Sequence, residues 1–177
     1  NLTYQQLLNG PFEKTKIMSG IVSYYSWLEG HIDRLNFLKY LDTLPFYDHY
    51  GRGGLSFLKS YKGSLINKED GLISYKYHFN GENSYEKNYF TEKIVDAILC
   101  ECLCFYSGCP NIEEFIDPRT YIKIDLKNPE EAFKIVRDSL ANNEYEKRIN
   151  IIRKEKQRLM TEMNPLNIIY KIINHQL

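Results

Sequence analysis

Apolar positions along this chain fall into short clusters separated by polar, Gly- or Pro-marked breaks, and the clusters alternate between two periods. Residues 16–24 (KIMSGIVSY) form a compact, partly β-branched run that reads as a strand. Residues 46–50, 75–80 (YKYHFN), 103–107 and 121–125 repeat that type. Between them the spacing shifts to threes and fours. Asp33 is placed to cap a helix with Leu35, Leu38, Leu41 and Leu44 on one side, and residues 91–99 carry a stripe of Ile94, Val95 and Ile98. Residues 2–8 predict a short helix ended by Asn9-Gly10-Pro11. Beyond residue 125 the pattern is helical. Asn128 serves as a cap, Pro129 as the first helical residue, Glu130 and Glu131 suit the positive helix start, and Phe133, Val136 and Leu140 face inward. The next helix turns Tyr145, Ile149, Ile152, Leu159 and Met163 inward, Asn164-Pro165 breaks it, and residues 166–173 make the last one. Strands alternating with helices predict an α/β, Rossmann-like three-layer domain with a parallel sheet and a helical C-terminal tail. The expected organisation is a helix and linker over 1–15, the domain over 16–163, and a terminal helix over 164–177.

At 177 residues the chain suits one compact domain with a proper core. Its 23 Lys and Arg balance 23 Asp and Glu, which argues against nucleic acid or an anionic membrane as the main partner. The basic run Lys147, Arg148, Arg153, Lys154, Lys156 and Arg158 is interleaved with Glu144, Glu146 and Glu155, so it reads as a solvated helix face. No apolar run is long enough to cross a bilayer and no signal peptide opens the sequence. The 15 tyrosines fit codon usage in an AT-rich genome as well as a sugar-handling surface. Cys100, Cys102, Cys104 and Cys109 lack the spacing of a structural zinc site and read as buried free thiols. That usage favours a reducing, cytoplasmic compartment, with a Golgi lumen open to a longer parent chain carrying a membrane anchor. His78 reads as a packing histidine, His31 as loop surface before Arg34, His49 and His175 as scattered, and Asp96 as a helix-face acid. Asn1-Leu2-Thr3 is a glycosylation sequon by pattern, and Arg52 lies in a Gly-rich loop over 51–54 that could border a ligand.

Parallel sheets bind anions where strands end and helices begin, because free helix N–H groups and the helix dipole point there. Two such junctions place a cation in the expected first helical turn: Arg34 after the strand over 16–24, and Lys93 after the strand over 75–80. An Arg fork and a Lys point charge together suit a diphosphate. Neither junction carries GxGxxG or GxxxxGK[ST], which disfavours a dinucleotide oxidoreductase or a P-loop ATPase. Glu92, beside Lys93, has the chemistry to accept both hydroxyls of a ribose, and Asn83 and Ser84 offer neutral polar groups in the same loop.

Four ordered blocks resemble the α-1,3/1,4-fucosyltransferase family. Glu82-Asn83-Ser84 followed by Tyr89-Phe90-Thr91-Glu92-Lys93-Ile94-Val95-Asp96-Ala97 is similar to that family's ENS…GYVTEKxxDA signature. Residues 105–116 (FYSGCPNIEEFI) resemble VYxGxPNVEDFIP, Ile21-Val22-Ser23 with Arg34 and Phe37 resembles VVSN…RxxF, and residues 48–54 resemble VDxYGxxG. The resemblance implies the C-terminal, nucleotide-sugar-binding half of a metal-independent, inverting GT-B glycosyltransferase. Arg34 and Lys93 would then hold the diphosphate and act catalytically, Glu92 would hold the ribose, and Tyr89 and Asn83 would line the nucleotide pocket. It implies no cofactor beyond a nucleotide-sugar donor, a GDP-sugar first, and a glycan or glycoprotein acceptor met through an N-terminal domain that this sequence lacks. The chain alone is then expected to bind donor weakly and transfer poorly. A catalytically silent binding or assembly module is the alternative, disfavoured by the intact Arg34, Glu92 and Lys93. Asn80-Gly81 and Cys100-Glu101-Cys102 depart from the family pattern, the first of them in the wall of the pocket.

Overall fold

A computed structural model describes residues 2–174, so Asn1 of the sequon and His175 lie outside the described residues. Its strands are β1 (Lys16–Ile21), β2 (Tyr47–Tyr50), β3 (Tyr75–Gly81), β4 (Leu103–Ser107) and β5 (Tyr121–Lys123). They form one parallel sheet in the order β2-β1-β3-β4-β5. Register is fixed by rows such as Tyr47, Met18 and Tyr77, with Tyr77 facing Leu103 on its other side. The helices are α1 (Tyr4–Leu8), α2 (Glu29–Leu41), α3 (Glu92–Leu99), α4 (Pro129–Ala141), α5 (Glu144–Thr161) and α6 (Pro165–Ile173).

The chain crosses to one side of β1 through α2 and to the far side of β3 through α3. Right-handed crossovers running in opposite directions put their helices on opposite faces of the sheet. Accordingly α2 packs with α4, and α3 packs with α5. Buried on both faces, β4 hides all five of its residues, as a parallel strand under two helical layers must. The core joins Met18, Phe37, Leu41, Phe79, Ile94, Ile98 and Phe105. The expected α/β, Rossmann-like architecture with its helical tail is therefore the observed one.

Boundaries differ where side chains found other work. The strand expected to run to Tyr24 ends at Ile21, although Val22 and Tyr24 still donate to the carbonyls of Tyr50 and Arg52. The helical charge run is not a wholly solvated face. Lys156 is buried, with Nζ 2.9 Å from Glu101 Oε1 and its charge over the Phe12 ring, while Arg153 holds the other Glu101 oxygen at 3.1 Å. Glu155 is buried too, bonded to Arg158 and the Asp117 amide. The carboxylate that brings Lys156 inward lies 55 residues away, beyond any local pattern. Glu101 occupies a left-handed turn (φ 61°) between α3 and β4. On the same helix Met160 takes the inner position expected of Met163, which is 39% exposed. The four cysteines are buried and unpaired, and no group of three or more metal-ligating side chains occurs among the described residues. No described helix is long and apolar enough to cross a membrane.

Two buried histidines tie the sheet together. Ser19 Oγ gives its only proton to Gly71 O at 2.6 Å, so the His78 Nδ1–H donates to Ser19 across 2.9 Å. His49 donates Nε2–H to Val22 O at 3.0 Å and accepts from Tyr47 OH at 2.9 Å. Burial pushes the His49 pKa down to about 4 and that of His78 to about 3. Both therefore bind protons more readily unfolded than folded, and their contribution is complete above the ordinary value and lost as pH falls below it. The free energy of unfolding from urea titration is expected to be level above pH about 7 and to fall between pH about 6.5 and 4, by several kcal/mol, with the midpoint falling in step. A midpoint unchanged down to pH about 4.5 would contradict this reading of the two histidines.

Candidate donor site

In the order β2-β1-β3-β4-β5 the chain leaves β1 and β3 in opposite directions, so the loops after these neighbouring strands diverge and open a crevice at their carboxyl ends. The first loop leads into α2 and the second into α3.

The start of α2 differs from the sequence expectation. Leu28 is extended and its amide donates to His31 Nδ1 at 3.3 Å, so the helix opens at Glu29 rather than after Asp33. His31 is thus a buried first-turn residue and not loop surface, and Arg34 lies in the second turn. Asp33, the expected cap, instead accepts from Tyr85 OH at 2.9 Å. Helical side chains lean toward the N-terminus, which still carries the Arg34 guanidinium back to the crevice. There Nη1 donates to Asn83 Oδ1 at 2.7 Å and to Gly81 O at 3.2 Å. A Cβ on Gly81 would stand 3.1 Å from Arg34 Cβ, so the departure at Asn80-Gly81 makes room for this arginine. Arg34 is 5% exposed, forms no ion pair among the described residues, and leaves its Nε without a partner. Burial lowers its pKa from the ordinary value, while Glu82, Tyr89 and Tyr85 pull it back up.

At the start of α3 Lys93 lies in the first turn, as expected, and Thr91 is the cap, one residue before the helix opens. Glu82 organises this side. Its carboxylate is fully buried and accepts from the Thr91 amide at 3.0 Å, the Thr91 hydroxyl at 2.9 Å and Lys93 Nζ at 2.9 Å. Lys93 is thereby held at the base of the crevice, and burial first, then the Arg34 charge and last that of Lys93, lower the His31 pKa. Arg34, Asn83 and Lys93 are brought together around Glu82 and His31. Glu92 is not part of that group: it stands at the outer edge, 64% exposed, with Lys68 Nζ 3.3 Å away and bridging onward to Asp96 at 2.6 Å. Tyr89 is placed by its neighbour. Asn88 adopts a left-handed conformation (φ 63°), and Asn111 grips it through Nδ2 to Asn88 Oδ1 at 2.8 Å and the Asn88 amide to Oδ1 at 2.9 Å. Asn tolerates that conformation better than most residues, the one local sign the sequence offered. Arg52, by contrast, sits exposed in its loop, with no side-chain partner among the described residues.

Two further features shape the crevice. A hollow of about 540 Å³ at the ends of β4 and β5 is lined by Tyr85, Ser107, Pro110, Asp125 and Lys127. Gly30, the second residue of α2, lies so near the chain after β3 that a Cβ there would come within 2.5 Å of Glu82 O and 2.7 Å of Asn83 O.

Among solved structures the chain is similar to an α1,3-fucosyltransferase, with a TM-score of 0.60 and 23% identity over 81% of this chain and 38% of that one. A structure described as an α1,3-fucosyltransferase with GDP-fucose gives the same TM-score. The C-terminal domain of the glycosyl transferase group 1 family protein LpcC from Francisella tularensis gives 0.54 at 12% identity, over 85% of this chain and 87% of that one. The domain has the fold of one half of a GT-B glycosyltransferase. Residues 11–158 match the model of glycosyltransferase family 10 (fucosyltransferase), C-terminal part, and the chain belongs to that family. It is also 30% identical over 86 residues to the alpha-(1,3)-fucosyltransferase FucT of Helicobacter pylori, spanning 48% of this chain and 18% of that protein.

The contact of Gly30 with the 82–83 backbone makes a prediction. Gly30→Ala is expected to cost about 2 kcal/mol in urea unfolding, since backbone rather than a mobile side chain blocks the added methyl. Gly54→Ala, whose Cβ would meet nothing within 4 Å, should change stability by less than about 0.5 kcal/mol. Equal effects would show that α2 does not rest on that backbone.

Proposed function

We propose that this chain is the donor-binding half of an inverting glycosyltransferase that uses a nucleoside-diphosphate sugar, GDP-fucose first, to glycosylate a hydroxyl of a glycan. The observation that carries this reading is Arg34, a buried guanidinium with no carboxylate partner and an unbonded Nε among the described residues. Such a charge is costly to bury unless an anion meets it, and a second cation, Lys93, lies in the first turn of α3 at the switch point of the sheet. Membership of the fucosyltransferase family supports fucose as the sugar.

In this mechanism the acceptor oxygen bonds to the anomeric carbon from one face as the bond to the diphosphate oxygen breaks on the other, inverting the centre. Negative charge grows on the departing diphosphate, and Arg34 and Lys93 stabilise it there without needing a metal. Glu82 keeps the lysine aimed while leaving Arg34 unneutralised. Asn83 and Tyr89 line the nucleotide, Glu92 takes the ribose hydroxyls, and the hollow beside Tyr85 is of a size for a base. The acceptor proton passes to a base supplied by the other half of a longer protein, so the 177 residues alone are expected to bind donor and transfer poorly. A silent module would have no use for the uncompensated Arg34 charge, which disfavours that alternative.

Calorimetric titration tests the reading. GDP is expected to bind, GMP to bind much more weakly, Arg34→Ala to lose about 30-fold in affinity and Lys93→Ala about tenfold. No binding of GDP, or affinity unchanged by Arg34→Ala, would refute the site.

A further inference from the structure

The loop between β1 and α2 is unlike the rest of the chain. Residues 22–28 (VSYYSWL) carry no charge in a protein of which 26% is charged. The loop's rings stand in solvent, with Trp27 83% exposed, Tyr24 50% and Tyr25 45%. Trp27 and Tyr25 also touch one another. Trp27 meets Tyr25 edge-on at 5.8 Å between centroids, and Tyr25 tilts against His31 at 6.0 Å. His31 adjoins Arg34 and Asn83, so a line of rings runs outward from the donor crevice.

The backbone beneath is pinned. The Tyr24 amide donates to Arg52 O at 2.8 Å, and the Arg52 amide donates to Ser23 Oγ at 3.1 Å. Gly53 lies in the left-handed region (φ +85°), and a Cβ on it would stand 3.0 Å from Tyr24 Cβ. Clustered aromatic rings left in water on a pinned backbone mark a contact surface, because Trp and Tyr offer large amphipathic area at small entropic cost.

We propose that Trp27 and Tyr25 form a stacking platform for a neutral pyranose ring of the acceptor oligosaccharide. This rests on the donor-site reading above. Flat rings match the apolar C–H face of a pyranose, and the hydroxyls of Ser23, Ser26, Tyr24 and Tyr25 match its polar rim. A stretch without charge does not suit an anionic membrane or an acidic peptide. Trp27 lies two ring-to-ring steps out from His31, which suits a sugar outside the diphosphate site rather than the donor itself.

Trp27 is the single tryptophan of the chain, so its emission reports on the platform directly. The 177-residue chain is titrated with lactose, cellotriose and chitotriose, with and without saturating GDP. At least one of these sugars is expected to shift the emission saturably to shorter wavelength. Followed by ligand-observed NMR, Trp27→Ala should weaken that sugar about tenfold, Trp27→Phe should keep most of the affinity, and GDP affinity should stay within about twofold. No response to any of the three sugars, a response to GDP-fucose alone, or a response only to phosphatidylglycerol vesicles would each overturn the platform. Failure of GDP to bind would count against the donor site, while the nucleotide-free sugar titration would still decide the platform.

Discussion

Burying a guanidinium costs several kcal/mol unless its charge is met, and the Arg34 charge is met by no carboxylate among the described residues. Two neutral oxygens, Gly81 O and Asn83 Oδ1, hold one edge of it and leave Nε bare. The nearest buried acid, Glu82, is already committed to Thr91 and Lys93. The result is a pair of cations around one carboxylate, with a surplus of positive charge directed into the crevice. Sheet order, the early start of α2 and the turn after β3 all serve to maintain that surplus.

The supporting structure is arranged so that this polar cluster does not have to stabilise itself. Gly30 lets α2 lie directly on the backbone after β3, which fixes where Arg34 can reach. His49 and His78 close hydrogen bonds around β1 in the neutral form, so the sheet is stiff at the pH where the crevice must bind an anion. On the opposite helical layer the buried Glu101–Lys156 pair docks α5 against the turn into β4, with Phe12 under the lysine. Burying a matched pair is near neutral in net energy, and its use here is to fix one helix in one register.

Much of this was legible in the sequence. Short apolar runs alternating with helical stripes located all five strands, and the bounds of β4 were read without error. Lys93 fell in the first turn of its helix, as the pattern over 91–99 placed it. The misreadings share a cause. Asp33 is a strong capping residue by local preference, yet its carboxylate is spent on Tyr85, 52 residues away. Lys156 looked solvated because its partner is remote. Local pattern reads the elements well; it does not read which polar groups will meet.

The central claim, that Arg34 is a cation awaiting an anion, is tested most directly by the NMR signal of its own Nε–H group. Among the described residues that proton has no acceptor. On addition of GDP the Arg34 Nε–H resonance is expected to move downfield and to exchange more slowly with solvent, while the same resonance of Arg119, paired with Asp117 at the surface, stays in place. An Arg34 signal unchanged at saturating GDP would contradict the account.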